Sequence, residues 1–288
     1  MSETRLLELA DGRELAWTEY GMPDAQPVLV LHGSPGTRHF FAPQAQTATR
    51  MNLRLISPDR PGYGHSTYHP ARTYHSWTLD VAQLVDHLGV DRFTVLGHSS
   101  GGPNAAACAR FLGDRLLGCA IVSGVAPPEA NIPKDAMLAM NRIAHRLAPT
   151  APGLMIWAYR LGFRQARRAP DKALTWMCRT LPACDAAVIE RPEISAAVRA
   201  DLTRPLAATA ARAATQDFRL ELRPWGFRLG DIAVPVHVWH GDLDRNVVIE
   251  SGMYVANEVP HAVLHRLPGQ GHWLVHSHFE DIIRSLAM

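Results

Sequence analysis

The sequence predicts an α/β fold: a mostly parallel sheet flanked by helices, with a second helical segment inserted into the chain. Three observations predict it. Short apolar runs alternate with helical repeats over the first 126 residues. The alternation stops between about residues 126 and 230, and it resumes after Gly230. Strands alternating with helices imply right-handed crossovers and parallel pairing. An interruption flanked by the same rhythm is one sheet with an insertion rather than two tandem domains. The expected division is 1–126 with 231–288 for the sheet-bearing core, and 127–230 for the helical insertion.

Each element has its own signal. Arg5–Leu9 and Glu14–Tyr20 alternate apolar and polar residues, the pattern of a half-buried antiparallel hairpin. Pro27–Leu31 reads PVLVL, a continuous run suited to a strand covered on both faces. Arg54–Ile56 follows a helical stretch, and Ser76–Leu88 repeats Leu79, Leu84, Val85 and Leu88 at helical spacing. Arg92–Leu96 and Leu117–Val122 are buried strands on either side of a helix over Asn104–Leu112. The interrupting segment is rich in Ala, Arg, Met and Trp, and prolines cut it repeatedly from Pro133 to Pro224. Beyond it come strands at Val234–Trp239 and Val263–Leu267, with helices over Val247–Glu258 and Trp273–Leu286.

Composition narrows the function classes. The 288 residues are 47% hydrophobic and 19% charged, enough apolar content for a sizeable core and too much for a disordered chain. A net charge of +2 gives no broad field for gripping nucleic acid, so no nucleic-acid partner is expected. No run approaches the roughly 20 uncharged apolar residues of a membrane span. The charged beginning of the chain does not read as a signal peptide. The reading is therefore a cytoplasmic protein without a membrane partner; its oligomeric state is left open. Cys108, Cys119, Cys178 and Cys184 form no C-x-x-C pair and read as small hydrophobes. The +2 is an average. Residues 126–230 hold 16 Arg and Lys against 9 Asp and Glu, a local +7, which leaves −5 for the rest. A solvated arginine surface is the favoured reading, ahead of a preference for anionic substrates.

Chemistry concentrates in a few short segments. Gly97-His98-Ser99-Ser100-Gly101 is G-x-S-x-G between an expected strand and an expected helix, the context of a nucleophile elbow. Small residues allow a turn sharp enough to project Ser99 above the sheet edge, and the helix behind it aims backbone N–H groups at the site. A serine hydroxyl needs a base, and the base needs an orienting acid. His272 lies in a loop after a strand and before the last helix, which selects it from 15 histidines. His272 and His276 are spaced i, i+4, but the H-E-x-x-H zinc pattern is absent. The segment after the penultimate strand offers Asp242 and Asp244. Asp244 lies deeper in the loop and is assigned as the orienter, Asp242 as holding its own turn. The turn His32-Gly33-Ser34-Pro35-Gly36 can supply the Ser34 N–H, with that of Ser100, as an oxyanion hole.

Taken in order, HGSPG, SPDRPGYGHS (Ser57–Ser66), GHSSGG, HGDLD and GQGHW resemble the α/β-hydrolase fold family over essentially the whole chain. The resemblance implies a serine triad in the order Ser99, Asp244, His272, with residues of about 127–230 forming a helical cap over the pocket. It also implies that Asp59–Gly64 is a structural loop. Haloalkane dehalogenases and epoxide hydrolases of this fold carry aspartate where Ser99 stands, which disfavours both. Ser123-Gly124 follows the sixth strand, where some relatives place their acid, and this again leaves Asp244.

The expected activity is hydrolysis of a carboxylic ester through an acyl-enzyme, needing neither metal nor organic cofactor. The expected partner is a small, mainly apolar acyl substrate, with Met137, Met140, Met155, Trp157 and Trp176 as candidate pocket residues. Thioester, lactone, amide (as in iminopeptidases) and carbon–carbon bond hydrolysis fit the same triad, as does cofactor-free perhydrolysis. So does a lyase using Ser99 and His272 without acylation. A ligand-binding protein that retains the triad is the alternative outside enzymes.

Overall fold

A computed structural model describes residues 4–203 and 209–286. Eight strands form one sheet in the order β1-β2-β4-β3-β5-β6-β7-β8. They are β1 (Arg5–Glu8), β2 (Glu14–Gly21), β3 (Gln26–Leu31), β4 (Leu53–Pro58), β5 (Phe93–His98), β6 (Leu116–Val122), β7 (Val236–Gly241) and β8 (Ala262–Leu267). β2 runs antiparallel to both β1 and β4. Every pairing from β4 through β3, β5, β6 and β7 to β8 is parallel. The alternating hairpin and the continuous apolar runs thus take the places their patterns imply.

The two faces of the sheet are covered by different helices, labelled in chain order: α1 (Ala45–Arg50), α2 (Tyr74–His87), α3 (Gly101–Phe111), α4 (Ala139–Thr150), α5 (Pro152–Arg168), α6 (Pro170–Thr180), α7 (Ala183–Ile189), α8 (Pro192–Thr203), α9 (Ala210–Glu221), α10 (Ile249–Glu258), α11 (Leu274–Ser277) and α12 (Phe279–Leu286). In β3, Leu29 and Leu31 join one buried cluster with Trp77, Val81 and Leu84 of α2, Ala105 and Ala109 of α3 and Val255 of α10. Val28 and Val30 join the other, with Ala48 of α1 and Ile282 and Leu286 of α12. The period-two alternation of side chains divides one apolar run between two cores. Cys108 and Cys119 are buried among them, Cys178 and Cys184 only half-buried, and all four are free thiols.

α3 starts at Gly101, three residues before the sequence pattern suggests. Pro103 falls in its first turn, where a missing N–H costs nothing because that donor has no intrahelical partner. The expected single last helix is two, α11 and α12, separated by His278.

Between β6 and β7 the described residues hold six α-helices, α4 to α9, and no strand. Pro152 and Pro170 stand in the opening turns of α5 and α6 and Pro192 at the first residue of α8, so these prolines begin helices as well as ending the preceding ones. The inserted helices are tied to the core by side chains: Asn141 donates to the Asn246 carbonyl at 3.1 Å, Thr37 to Asp201 at 2.5 Å and Thr209 to the Gly62 carbonyl at 3.0 Å.

Candidate active site

Ser99 follows β5 directly and precedes α3, with φ of 56° in the left-handed region. An L-residue adopts that region at a cost of order 1–2 kcal/mol, so the surroundings must hold it there. They do so through two hydrogen bonds: Ser99 N–H donates to the Val122 carbonyl at 2.9 Å, and its own carbonyl accepts from Gly102 N–H at 2.8 Å. The turn is tight enough that a Cβ on Gly97 would penetrate the Gly101 carbonyl and sit 2.8 Å from Ala105 Cβ. This is the physical reason for glycine two residues before the serine; two residues after it, a Cβ on Gly101 would penetrate the Leu31 carbonyl oxygen.

His272 and Asp244 meet. His272 Nδ1 lies 2.7 Å from Asp244 Oδ2. The other oxygen, Oδ1, accepts the amides of Asn246 at 2.8 Å and Val247 at 2.9 Å. His240 Nε2 stands 3.4 Å from Oδ2, and donates to the Val247 carbonyl at 2.8 Å. Burial pushes the Asp244 carboxyl upward, but His272 and the hydrogen bonds outweigh it and hold it well below the usual carboxylate range. For His272, burial favours the neutral ring; Asp244, and then Asp185, outweigh it and raise its pKa above the ordinary histidine value. Asp242 acts elsewhere: its Oδ1 accepts Gly269 N–H at 2.8 Å. It secures the His272 loop rather than its own turn.

No hydrogen bond joins Ser99 to His272 in this structure; such bonds are often loose before substrate binds. The two are brought to one place by their neighbours. His98 sits with its ring centroid 4.8 Å from that of His272, and its Nε2–H donates to the His272 carbonyl at 2.9 Å. Phe40 stacks on the other side of His98 at 4.9 Å. Burial, and then His272, push His98 well down, so it is neutral.

The HGSPG turn lies against the same serine: a Cβ on Gly33 would be 3.0 Å from Ser99 Cβ. Among the described residues, neither the Ser34 nor the Ser100 amide has a hydrogen-bond partner. Arg60, fully buried, donates to the His32 carbonyl and, at 3.1 Å, to that of Gly33. His32 Nε2 accepts the Arg60 amide at 3.2 Å, and its Nδ1–H donates to the Gly33 carbonyl at 2.7 Å.

Three carboxylates from the inserted helices reach this region, and sequence reasoning assigned none of them. Asp217 of α9 accepts Arg60 at 2.9 Å, Tyr63 Oη at 2.6 Å and Arg72. The Tyr63 hydroxyl is in turn 2.8 Å from Ser34 Oγ. Glu221, one turn further along α9, is buried; burial pushes its pKa up to about 8, with the Ser100 side chain acting against that shift. Asp185 of α7 accepts Trp273 N–H at 2.7 Å. None of the three lies in a recognisable motif of the surrounding Ala- and Arg-rich sequence. The i, i+4 pair Asp217/Glu221 was the available signal.

The five apolar candidates are dispersed. Met137 is buried, and the adjoining Leu138 N–H donates to the Arg245 carbonyl at 2.8 Å, beside Asp244. Met155 is buried with Ala148 and Phe218 inside the inserted helices. Met140, Trp157 and Trp176 are 54, 61 and 52% exposed. Trp176 lies with Asp171, Lys172, Thr175 and Arg179 along a cleft on α6. His276 does not pair with His272: its Nδ1 faces Gln44 Nε2 at 3.3 Å, and burial, then Arg191, push it down to about 3. Among the described residues no group of three or more His, Cys, Asp or Glu is placed to hold a metal, and no helix is long and apolar enough to cross a membrane.

Comparison with known proteins agrees with this architecture. A family model described as the alpha/beta hydrolase fold matches residues 26–279. A proline iminopeptidase of Arabidopsis thaliana is 32% identical over 121 residues, 39% of this chain and 30% of that protein. A bifunctional esterase/perhydrolase of Acinetobacter calcoaceticus is 29% identical over 119 residues, 41% and 43% of the two. The chain therefore spans less than half the length of these curated relatives. A hydrolase from Pseudomonas aeruginosa superimposes with a TM-score of 0.71 at 21% identity, over 99% of this chain and 98% of that one.

Proposed function

The chain belongs to the alpha/beta hydrolase fold family, and from that premise we propose that it is a serine hydrolase cleaving a carboxylic ester or related acyl bond. The observation that carries the reading is the 2.7 Å His272–Asp244 hydrogen bond beside a serine held at φ 56°. Neither feature serves folding alone: the first buries a charge and the second strains the backbone.

In the proposed mechanism Ser99 Oγ attacks the acyl carbonyl while His272 Nε2 takes its proton. Asp244 keeps the other ring proton on Nδ1 and stabilises the imidazolium. The Ser34 and Ser100 amides, unpartnered among the described residues, receive the oxyanion. His272 then protonates the leaving alcohol, and the acyl-enzyme is opened by water that His272 deprotonates. Helices α4 to α9 act as the cap, a role supported by Asp185, Asp217 and Glu221 reaching down to the site. Within that cap we assign apolar lining to the buried Met137, next to the residue that bonds Arg245 beside Asp244, rather than to the exposed Met140, Trp157 and Trp176 or to Met155, which packs within the cap itself.

A panel of p-nitrophenyl esters, acyl thioesters and anilides of graded acyl length tests the reading. Ester turnover that disappears in Ser99→Ala is expected. Turnover of anilides but not esters, or esterase activity that survives Ser99→Ala, would overturn it.

A further inference from the structure

The loop bearing His272 is gripped from two sides. From the core, Asp244 takes the ring at Nδ1. From the insertion, Asp185 takes the backbone: its Oδ1 accepts Trp273 N–H at 2.7 Å, and the His272 amide faces the same carboxylate. The fit is close. A Cβ on Gly271 would lie 2.5 Å from both Asp185 oxygens, so glycine there is what lets the carboxylate approach.

Asp185 is only 1% exposed, and among the described residues its Oδ2 has no hydrogen-bond partner. A buried carboxylate with one oxygen unsatisfied is costly, and burial pushes its pKa up accordingly. Folding does not require that cost: an asparagine would accept the same amide without a charge. The other groups around His272 are His98 on β5, His240 on β7, Cys184 beside Asp185 on α7 and His276 on α11, with Arg191 beyond His276. Burial keeps His98 and His276 neutral. The two carboxylates that act on the ring are therefore Asp244 and Asp185.

We propose that Asp185 is a positioning residue for His272, latching the inserted helices to the loop of the general base and placing a second negative charge behind the imidazolium that forms during acyl transfer. The proposal rests on the serine-hydrolase reading for the use of that imidazolium, but not for the charge itself. Bond making and breaking stay with Ser99 and His272. Asp185 acts through the loop, so the base is presented correctly only while α7 is seated.

Titration of the His272 ring by NMR tests this without turnover, the resonance being identified by its loss in His272→Gln. In Asp185→Asn, which keeps the acceptor and removes the charge, the His272 pKa should fall by about 0.5–1 unit. The acid limb of kcat/KM should move by the same amount, with the unfolding midpoint little changed. Asp185→Ala should show the same fall and also lose kcat, because the Trp273 amide is then without its acceptor. A His272 titration that does not move in Asp185→Asn would overturn the proposal, whatever happens to stability. A shifted titration in a protein that cleaves no ester would sink the hydrolase reading and leave Asp185 standing; ester turnover with an unmoved titration would do the reverse.

Discussion

Asp244 and Asp242 are two residues apart, yet they face different partners and should fail differently. Asp244 lies under the imidazole and Asp242 under the Gly269 amide. Asp244→Asn should cut kcat/KM by roughly ten-thousand-fold, the size of the tautomer effect in other serine triads. Asp242→Asn should cost far less, since an amide oxygen can still accept Gly269 N–H; equal losses would contradict the assignment. The pH dependence follows from the same pair. In the proposed mechanism only neutral His272 can take the Ser99 proton, and the His272 pKa is raised above the ordinary value. The rate should therefore climb with pH through a value above that of a free histidine, and the limb should move to lower pH in Asp244→Asn. At this scale the His272–Asp244 pair and the sharp turn at Ser99 were legible because each residue sits in a short motif at a strand end. The role of Asp242 was half legible: the sequence marks it as a turn residue but does not show which backbone it holds. Asp185, Asp217 and Glu221 were not legible, since their meaning depends on residues between 88 and 157 positions away.

The elbow and α9 are the elements on which the site turns. A Cβ on Gly97 would overlap the Gly101 carbonyl oxygen, so Gly97→Ala must push β5 and α3 apart. A loss of about 2–4 kcal/mol is expected in urea unfolding, from overpacking added to a turn already strained. Little change in the midpoint would mean the turn is looser than described. α9 carries Asp217 and Glu221 one turn apart; Asp217 is tied through Tyr63 to Ser34 of the proposed oxyanion loop, and Glu221 is buried. Glu221 has a pKa of about 8 folded against 4.5 free. Between those values the native state keeps a proton that the unfolded chain has released, so its contribution to stability falls as pH rises across that interval. Glu221→Gln should flatten that fall when unfolding midpoints are compared at pH 5.5 and 8. Strands of the core were readable because burial on both faces writes continuous apolar runs. The break at His278 was not, because α11 and α12 keep one apolar face across it.

Across the whole molecule the charge asymmetry acquires a direction. Three of the nine acids in residues 126–230 are Asp185, Asp217 and Glu221, all buried against the core. Residues 136–170 carry arginines and no acid, and Arg142, Arg146, Arg160, Arg164, Arg167 and Arg168 are exposed. The local +7 is thus an arginine exterior above a carboxylate underside. The underside matters for stability, because Asp217 holds the buried Arg60 and Arg72. Asp217→Ala leaves both guanidiniums without their carboxylate and should cost about 3–5 kcal/mol by denaturant unfolding. The insertion itself was visible in the sequence as a lapse in strand rhythm, whereas its docking on the core was not, since no periodicity encodes which loop a helix will meet. The central claim is that Ser99 is an activated nucleophile, and the most direct measurement is intact mass after exposure to a fluorophosphonate. One adduct, located on Ser99 and absent from Ser99→Ala, is the expected result; a folded protein that stays unlabelled, or one labelled at another residue, would contradict it.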